Sequence, residues 1–225
     1  MDILCICRSE GWLTLKHLII IGVGGFGREV YWHAQNSLGY GAEWNLKGFL
    51  DGDVRLPDEE YEKLKLPVVG DINSYQPQDD DCFICAIANS VVRKRLTDII
   101  QEKGGAFINL IHRTTILSGN VKMGIGNVFS PYTTVLDSVK MGNFNIFNVR
   151  TGIGHDASLG DYNSLMSAVD INGFVRIGNF TYFGDSASTI PHSKIEDGAF
   201  VGACSLVLKK VKAGKKVFGI PAVEI

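Results

Sequence analysis

The sequence has little excess of either charge. Twenty-two Lys and Arg stand against 24 Asp and Glu, a formal net charge of −2. That balance removes the electrostatic reason to expect a nucleic-acid or anionic-membrane partner. It also lacks any apolar run of the ~18–20 residues that span a bilayer, so no membrane insertion is expected. The opening "MDILCICRSEGWLTLKH" is interrupted by Asp2, Arg8 and Glu10 and makes a poor signal peptide. Cysteines are few and odd in number, at five. Cys82 and Cys85 form a C-x-x-C, but "CFICAIA" reads as a buried strand and no second metal-type pair exists. Neither a metal nor a redox role is expected there. Free thiols point to a cytoplasmic protein. No G-x-S-x-G elbow is present, so a serine nucleophile of that type is excluded.

What is there falls into two halves with different periods. Residues 17–110 alternate strand and helix signals. "HLIIIG" (17–22), "LKGFLD" (46–51), "LPVVGD" (66–71), "CFICAIA" (82–88) and "AFINLI" (106–111) read as short buried strands. "GFGREVYWHAQNSLG" reads as a helix with Phe26, Val30, Ala34 and Leu38 on one face, and "SVVRKRLTDIIQEKGG" (90–105) as another with a Gly-Gly stop. Such alternation predicts a small, open, parallel α/β sheet of Rossmann-like type.

From Ile111 the period becomes six. Ile111, Leu117, Met123, Phe129 and every sixth residue after them to Val207 are apolar, except Thr189. With a chain 45% hydrophobic, chance would fill about half of those positions. Four residues after each sits a slim residue, from Asn127 and Thr133 through Ala157 to Ser205, and glycine often follows the apolar one. A hexapeptide period predicts a parallel β-helix of triangular coils, eighteen residues each, with the large residue inside and the slim one near a tight corner.

Two features exceed what the scaffold requires. Gly22, Gly24 and Gly27 spell G-x-G-x-x-G between a strand and a helix, where bare backbone amides can approach a phosphate. Asp51 ends the next strand and is placed to grip a nucleotide. In the repeat, His155 stands two residues after the inward Ile153, so it points outward near a corner, with Asp156 beside it. A carboxylate can orient an imidazole. Adjacent strand residues point opposite ways, so Asp156 is expected to act indirectly or through a turn.

The order and spacing of "LIIIGVGGFGREV", "GFLD", "AIANSVVRKRL", "LIH", "GHDASLGDYN", "VGACSLVLKKV" and "GIPA" resemble the sialic acid O-acetyltransferase-like family of bacterial sugar acetyltransferases. That family includes enzymes that N-acetylate UDP-linked 4-amino sugars. The resemblance runs from about Lys16 to the C-terminus. Residues 1–15 lie outside it and read as either a mis-called start or a disordered extension; the resemblance implies a nucleotide-sugar-binding domain over 16–110, a left-handed β-helix over 111–211 and a tail over 212–225. It implies acetyl-CoA as co-substrate, no metal, a homotrimer, and direct transfer to an amine or hydroxyl with His155 as general base, supported by Asp156. Substrate contacts fall on Gly24, Gly25, Phe26, Asp51, Gly52 and Ala88. Acetyl-CoA contacts fall on Ser164, Gly173, Asp185 and Ala203, with Gly184 and Gly202 letting the pantetheine arm approach. The family often has His at the positions of Phe26 and Ser164, and Pro at Arg113.

Other readings make different demands. A zinc carbonic anhydrase on the same prism needs two histidines five apart, and this repeat has none. A nicotinamide oxidoreductase would need more than the about 95 residues that precede the repeat. A non-catalytic trimeric scaffold or regulatory protein predicts that His155 is dispensable.

Overall fold

A computed structural model describes residues 15–51 and 57–225. The expected extension, apart from Leu15, and the candidate contact Gly52 lie outside the described residues. The chain divides into two compact units, one ending at Arg113 and the other beginning at Thr114. No helix among the described residues is long and apolar enough to cross a membrane.

The first unit holds strands β1 (Lys16–Ile21), β2 (Trp44–Asp51), β3 (Val68–Asp71), β4 (Asp81–Cys85) and β5 (Ala106–Phe107), with helices α1 (Gly25–Ala34), α2 (Asp58–Glu62) and α3 (Ser90–Glu102). The sheet order is β3-β2-β1-β4-β5, and every pairing is parallel. The central strand carries four consecutive core residues, Leu18 to Ile21, as a strand covered on both faces must. α3 starts on Asn89, whose side chain accepts from the Val91 and Val92 amides at 3.1 Å each.

Three local expectations differ. α1 ends at Ala34 rather than reaching Leu38, because Asn36, Ser37 and Gly39 (φ +84°) favour turns over helix. Leu38 N–H instead donates to Ile111 O at 2.9 Å. The strand "AFINLI" splits into β5 and a separate Leu110–Ile111 pair. The short α2 carries no buried residue, so it leaves no periodic apolar signal to read.

The second unit is a left-handed parallel β-helix. Its two-residue strands form three faces. The first face stacks six strands from Ile116–Leu117 to Leu206–Val207, and the second six from Lys122–Met123 to Lys210–Val211. The third runs from Val128–Phe129 to Lys216–Phe218. Each strand pairs with the one eighteen residues away over most of the stack, as in Thr134↔Gly152 and Ile146↔Ser164. The predicted large residues fill the interior, and Thr189, the polar exception, is fully buried among them.

The slim residues also lie inside, and several form a polar ladder along the axis. Asn127 Oδ1 accepts from the Asn145 amide at 2.9 Å, Asn145 Oδ1 from the Asn163 amide at 2.9 Å, and Asn163 Oδ1 from the Thr181 amide and hydroxyl at 2.9 and 2.7 Å. Outside, a second ladder stacks Asn143, Asp161, Asn179 and Asp197, each side chain accepting from the backbone one coil earlier.

The corners have a uniform device. Every sixth residue from Gly126 to Cys204 has φ near +60°, and twelve of these are not glycine. Each such residue costs roughly 1–2 kcal/mol. The corner column Phe144–Tyr162–Phe180 offsets part of that by stacking its rings at 5.1 and 5.2 Å. The C-terminal segment continues the scaffold: Lys216–Phe218 pairs in parallel with Phe200–Val201 and antiparallel with Val223–Glu224.

Candidate active site

Register brings the N-terminal candidates to one edge of the sheet. Ile21, the last residue of β1, lies beside Leu50 of β2 and Cys85 of β4. Gly22 N–H donates to Leu50 O, and Ala86 N–H to Ile21 O, both at 2.9 Å. The glycine loop, Asp51 and the Ile87–Ala88 segment therefore follow three neighbouring strands at their carboxyl ends. With β1 leading outward to β2 on one side and flanked by β4 on the other, this is the switch point where open α/β sheets bind ligands.

The glycines divide by role. Gly22 has φ +111°, and a Cβ on Gly27 would collide with the Gly22 carbonyl, so these two make the turn possible. Gly25 opens α1 in free space, with only the tip of Arg28 within reach of an added Cβ. Gly24 caps that helix with no side-chain hydrogen bond, leaving first-turn amides available to an anion. Phe26 is half-buried beside them. Tyr61 of α2 donates its hydroxyl to the Asp51 carboxylate. Buried Arg93 donates to the Ile87 and Ala88 carbonyls at 2.6 and 3.1 Å and fixes that loop.

In the β-helix, His155 and Asp156 occupy the corner between the first and second faces. Asp156 is one of the left-handed corner residues (φ +58°). That conformation removes the strand alternation and turns both side chains to the same side. The expected indirect relation is thus a direct one: His155 Nδ1 lies 2.9 Å from Asp156 Oδ2. Paired this way, Nδ1 carries the proton to the carboxylate and Nε2 is left as the acceptor. The ring lies on Gly173, one coil along. A Cβ there would come within 2.9 Å of Nε2 and 3.0 Å of Cε1. Phe174 meets the imidazole edge-on at 5.0 Å and 88°, and His192 stacks on Phe174 at 4.8 Å. The sequence places His192 in the weak repeat around Thr189, but neither Phe174 nor its stack with His192 is evident there. The signal was present as a step of eighteen from Asp156.

The four expected acetyl-CoA contacts do not gather on one edge. Gly173 lies at the His155 corner. Ser164 is buried on the third face, while Asp185 and Ala203 sit exposed, one coil apart, at the corner that follows it. Asp185 Oδ1 accepts from the Ser167 amide at 3.0 Å. Gly184 and Gly202 are buried by the stacking of the coils. An added Cβ would meet Ala203 N at 2.6 Å in the first case and the Phe218 ring in the second. Coil packing alone therefore accounts for these two glycines.

The C-x-x-C lies inside β4. Burial pushes both the Cys82 and Cys85 thiols up to about 12, so neither is a thiolate at neutral pH. His17, Asp80 and Asp81 cluster at the other end of the sheet, but both Asp81 oxygens are committed, to Lys47 at 2.6 Å and to Tyr75 and the Gln78 amide at 2.7 and 2.9 Å.

Comparison with known proteins agrees with this division. Residues 17–100 match the PglD N-terminal domain. Over nearly the whole chain the fold is similar to three solved structures. WeeI from Acinetobacter baumannii is 27% identical, with TM-score 0.79, covering 94% of this chain and 100% of that one. The acetyltransferase domain of PglB from Neisseria gonorrhoeae, in complex with acetyl coenzyme A, is 25% identical, with TM-score 0.83 and coverage of 94% and 100%. PerB from Caulobacter crescentus, in complex with CoA and GDP-perosamine, is 24% identical, with TM-score 0.83 and coverage of 94% and 98%, and it bears on the fold alone. A small parallel α/β sheet followed by a hexapeptide β-helix is the fold this chain shares with those acetyltransferases. Over nearly its whole length the chain is similar to hexapeptide-repeat acetyltransferases.

Proposed function

We propose that this protein transfers the acetyl group of acetyl-CoA to an amino group of a UDP-linked sugar, with His155 as the general base. The observation that carries the reading is the corner itself: Nδ1 held by Asp156 at 2.9 Å, and Nε2 directed outward over Gly173. Nε2 accepts the proton of the amine as nitrogen bonds to the thioester carbon. The carbon–sulfur bond then breaks, the CoA sulfur leaves with the electron pair, and protonated His155 can return a proton to it. No side chain of the protein is acylated.

The nucleotide sugar is held by the N-terminal unit. Its phosphates approach the α1 amides at Gly24, Gly25 and Phe26, and Asp51 and Ala88 flank the nucleoside. Acetyl-CoA contacts Ser164, Gly173, Asp185 and Ala203. Because Gly173 lies at one edge of the prism, Asp185 and Ala203 at another and Ser164 on the third face, a single chain does not assemble that site. A homotrimer, in which one copy's His155 corner faces the next copy's third face, does. Buried free thiols at Cys82 and Cys85 fit a reducing, cytoplasmic setting.

The test is release of CoA thiol by the wild-type protein with UDP- and GDP-linked amino sugars, and mass detection of the acetylated product. Thiol release that depends on a UDP-amino sugar is expected. Release no faster than without any sugar, across the whole panel, would sink the proposal.

A further inference from the structure

The outward residues of the three faces differ sharply. On the first face they are Ile116, Thr134, Gly152, Asp170, Ser188 and Leu206. On the second they are Lys122, Lys140, Ser158, Arg176, Lys194 and Lys210, in direct register. Five cations thus stand in one column, with neighbours about 4.8 Å apart. Like charges directly opposite on a sheet are destabilising. At one end Glu196 answers the repulsion, reaching Lys194 at 3.3 Å and Lys210 at 2.8 Å. Among the described residues nothing answers it at Lys140 and Arg176, neither of whose side chains has an ion pair or hydrogen bond.

Between those two the column carries its one neutral residue, Ser158, and there the surface opens into a groove of about 580 Å³ lined by Ser138, Lys140, Asp156, Ala157, Ser158 and Arg176. Asp156 is the only anion in the lining, and its Oδ2 is engaged by His155. Two unneutralised cations two coils apart, about 9–10 Å, with a hydroxyl between them, match a diphosphate held from both sides. The groove shares Asp156 with the corner that holds the base.

We propose that Lys140, Ser158 and Arg176 form a diphosphate-binding subsite that anchors a phosphorylated substrate beside His155. Both substrates of the proposed reaction carry a diphosphate, and with that of the nucleotide sugar assigned to the α1 amides the groove falls to that of CoA. The choice between them rests on that reading, whereas binding of a bare diphosphate does not.

The experiment is calorimetric titration of the full-length protein with sodium pyrophosphate, CoA and UDP separately. It compares wild type with the Lys140→Gln/Arg176→Gln double variant and the charge-keeping Lys140→Arg/Arg176→Lys double variant. Pyrophosphate binding is expected to weaken at least tenfold in the Gln variant and to stay near wild type in the charge-keeping one. CoA is expected to lose affinity in parallel, while UDP, held at the α1 amides, keeps its own. Both side chains are exposed, so circular dichroism of the Gln variant should match wild type. Absence of pyrophosphate binding to the wild type, or affinities for all three probes within twofold in the Gln variant, overturns the subsite. Intact pyrophosphate binding without any acetyl transfer overturns the proposed function and leaves the subsite standing.

Discussion

At the scale of residues, the candidate site turns on one backbone angle. In an extended strand His155 and Asp156 would point apart. At φ +58° Asp156 comes round to the imidazole and can hold its tautomer. Asp156→Asn keeps the shape but loses the charge that fixes Nδ1–H. Its kcat should fall on the order of tenfold or more with little change in KM; unchanged kcat in steady-state assays would remove Asp156 from the account. Gly173 is the second lever. A methyl group there would meet Nε2 at 2.9 Å and displace the ring, so Gly173→Ala should lower kcat while leaving thermal stability close to wild type. Were the glycine present only for acetyl-CoA, the same variant would raise the KM for acetyl-CoA and spare kcat.

At the scale of elements, the hexad was legible because Ile153, Leu159, Leu165 and their counterparts must all fill one narrow interior. The corners were not. Tyr132, Phe144, Arg150 and Phe174 have no intrinsic leaning to positive φ, so nothing in their identity marks a left-handed turn. The stack imposes it, and only a step of eighteen exposes the columns. The same limit applies to α1, where the apolar spacing through Leu38 continued past the turn that ends the helix. The buried Asn127–Asn145–Asn163–Thr181 ladder gives an element-scale prediction. Asn145→Ala removes the acceptor of the Asn163 amide and should cost about 1–3 kcal/mol. Chemical denaturation measures it, and a variant as stable as wild type would contradict the ladder's role.

At the scale of the whole molecule, two parts of the sequence carried two kinds of information. The glycine loop and the His-Asp pair could be placed on their elements from spacing alone. The column of cations on the second face could not, because the residues that share a face are eighteen apart and each looks like an ordinary surface lysine by itself.

The N-terminal unit also carries a pH response. Burial, with His112 nearby, lowers His33 to about 4. Its Nδ1 has no hydrogen-bond partner among the described residues. The unfolded chain takes up this proton near pH 6.5 and the folded chain only near pH 4, so stability should decline as pH falls between those values. His33→Phe should flatten that part of the melting-temperature profile, and an unchanged slope would assign it elsewhere. Assembly is the other whole-molecule claim. Light scattering should give three times the chain mass, because the expected acetyl-CoA contacts occupy different edges of one prism. A monomer with full activity would contradict the shared site.

The central claim is that a surface histidine on a regular scaffold does the chemistry. Turnover of His155→Ala with acetyl-CoA and the best UDP-linked amino sugar tests it most directly. A loss of about 10²–10⁴-fold in kcat is expected, with folding and CoA binding kept, as removal of a general base requires. Turnover within a few-fold of wild type would show that the imidazole at this corner is not the base.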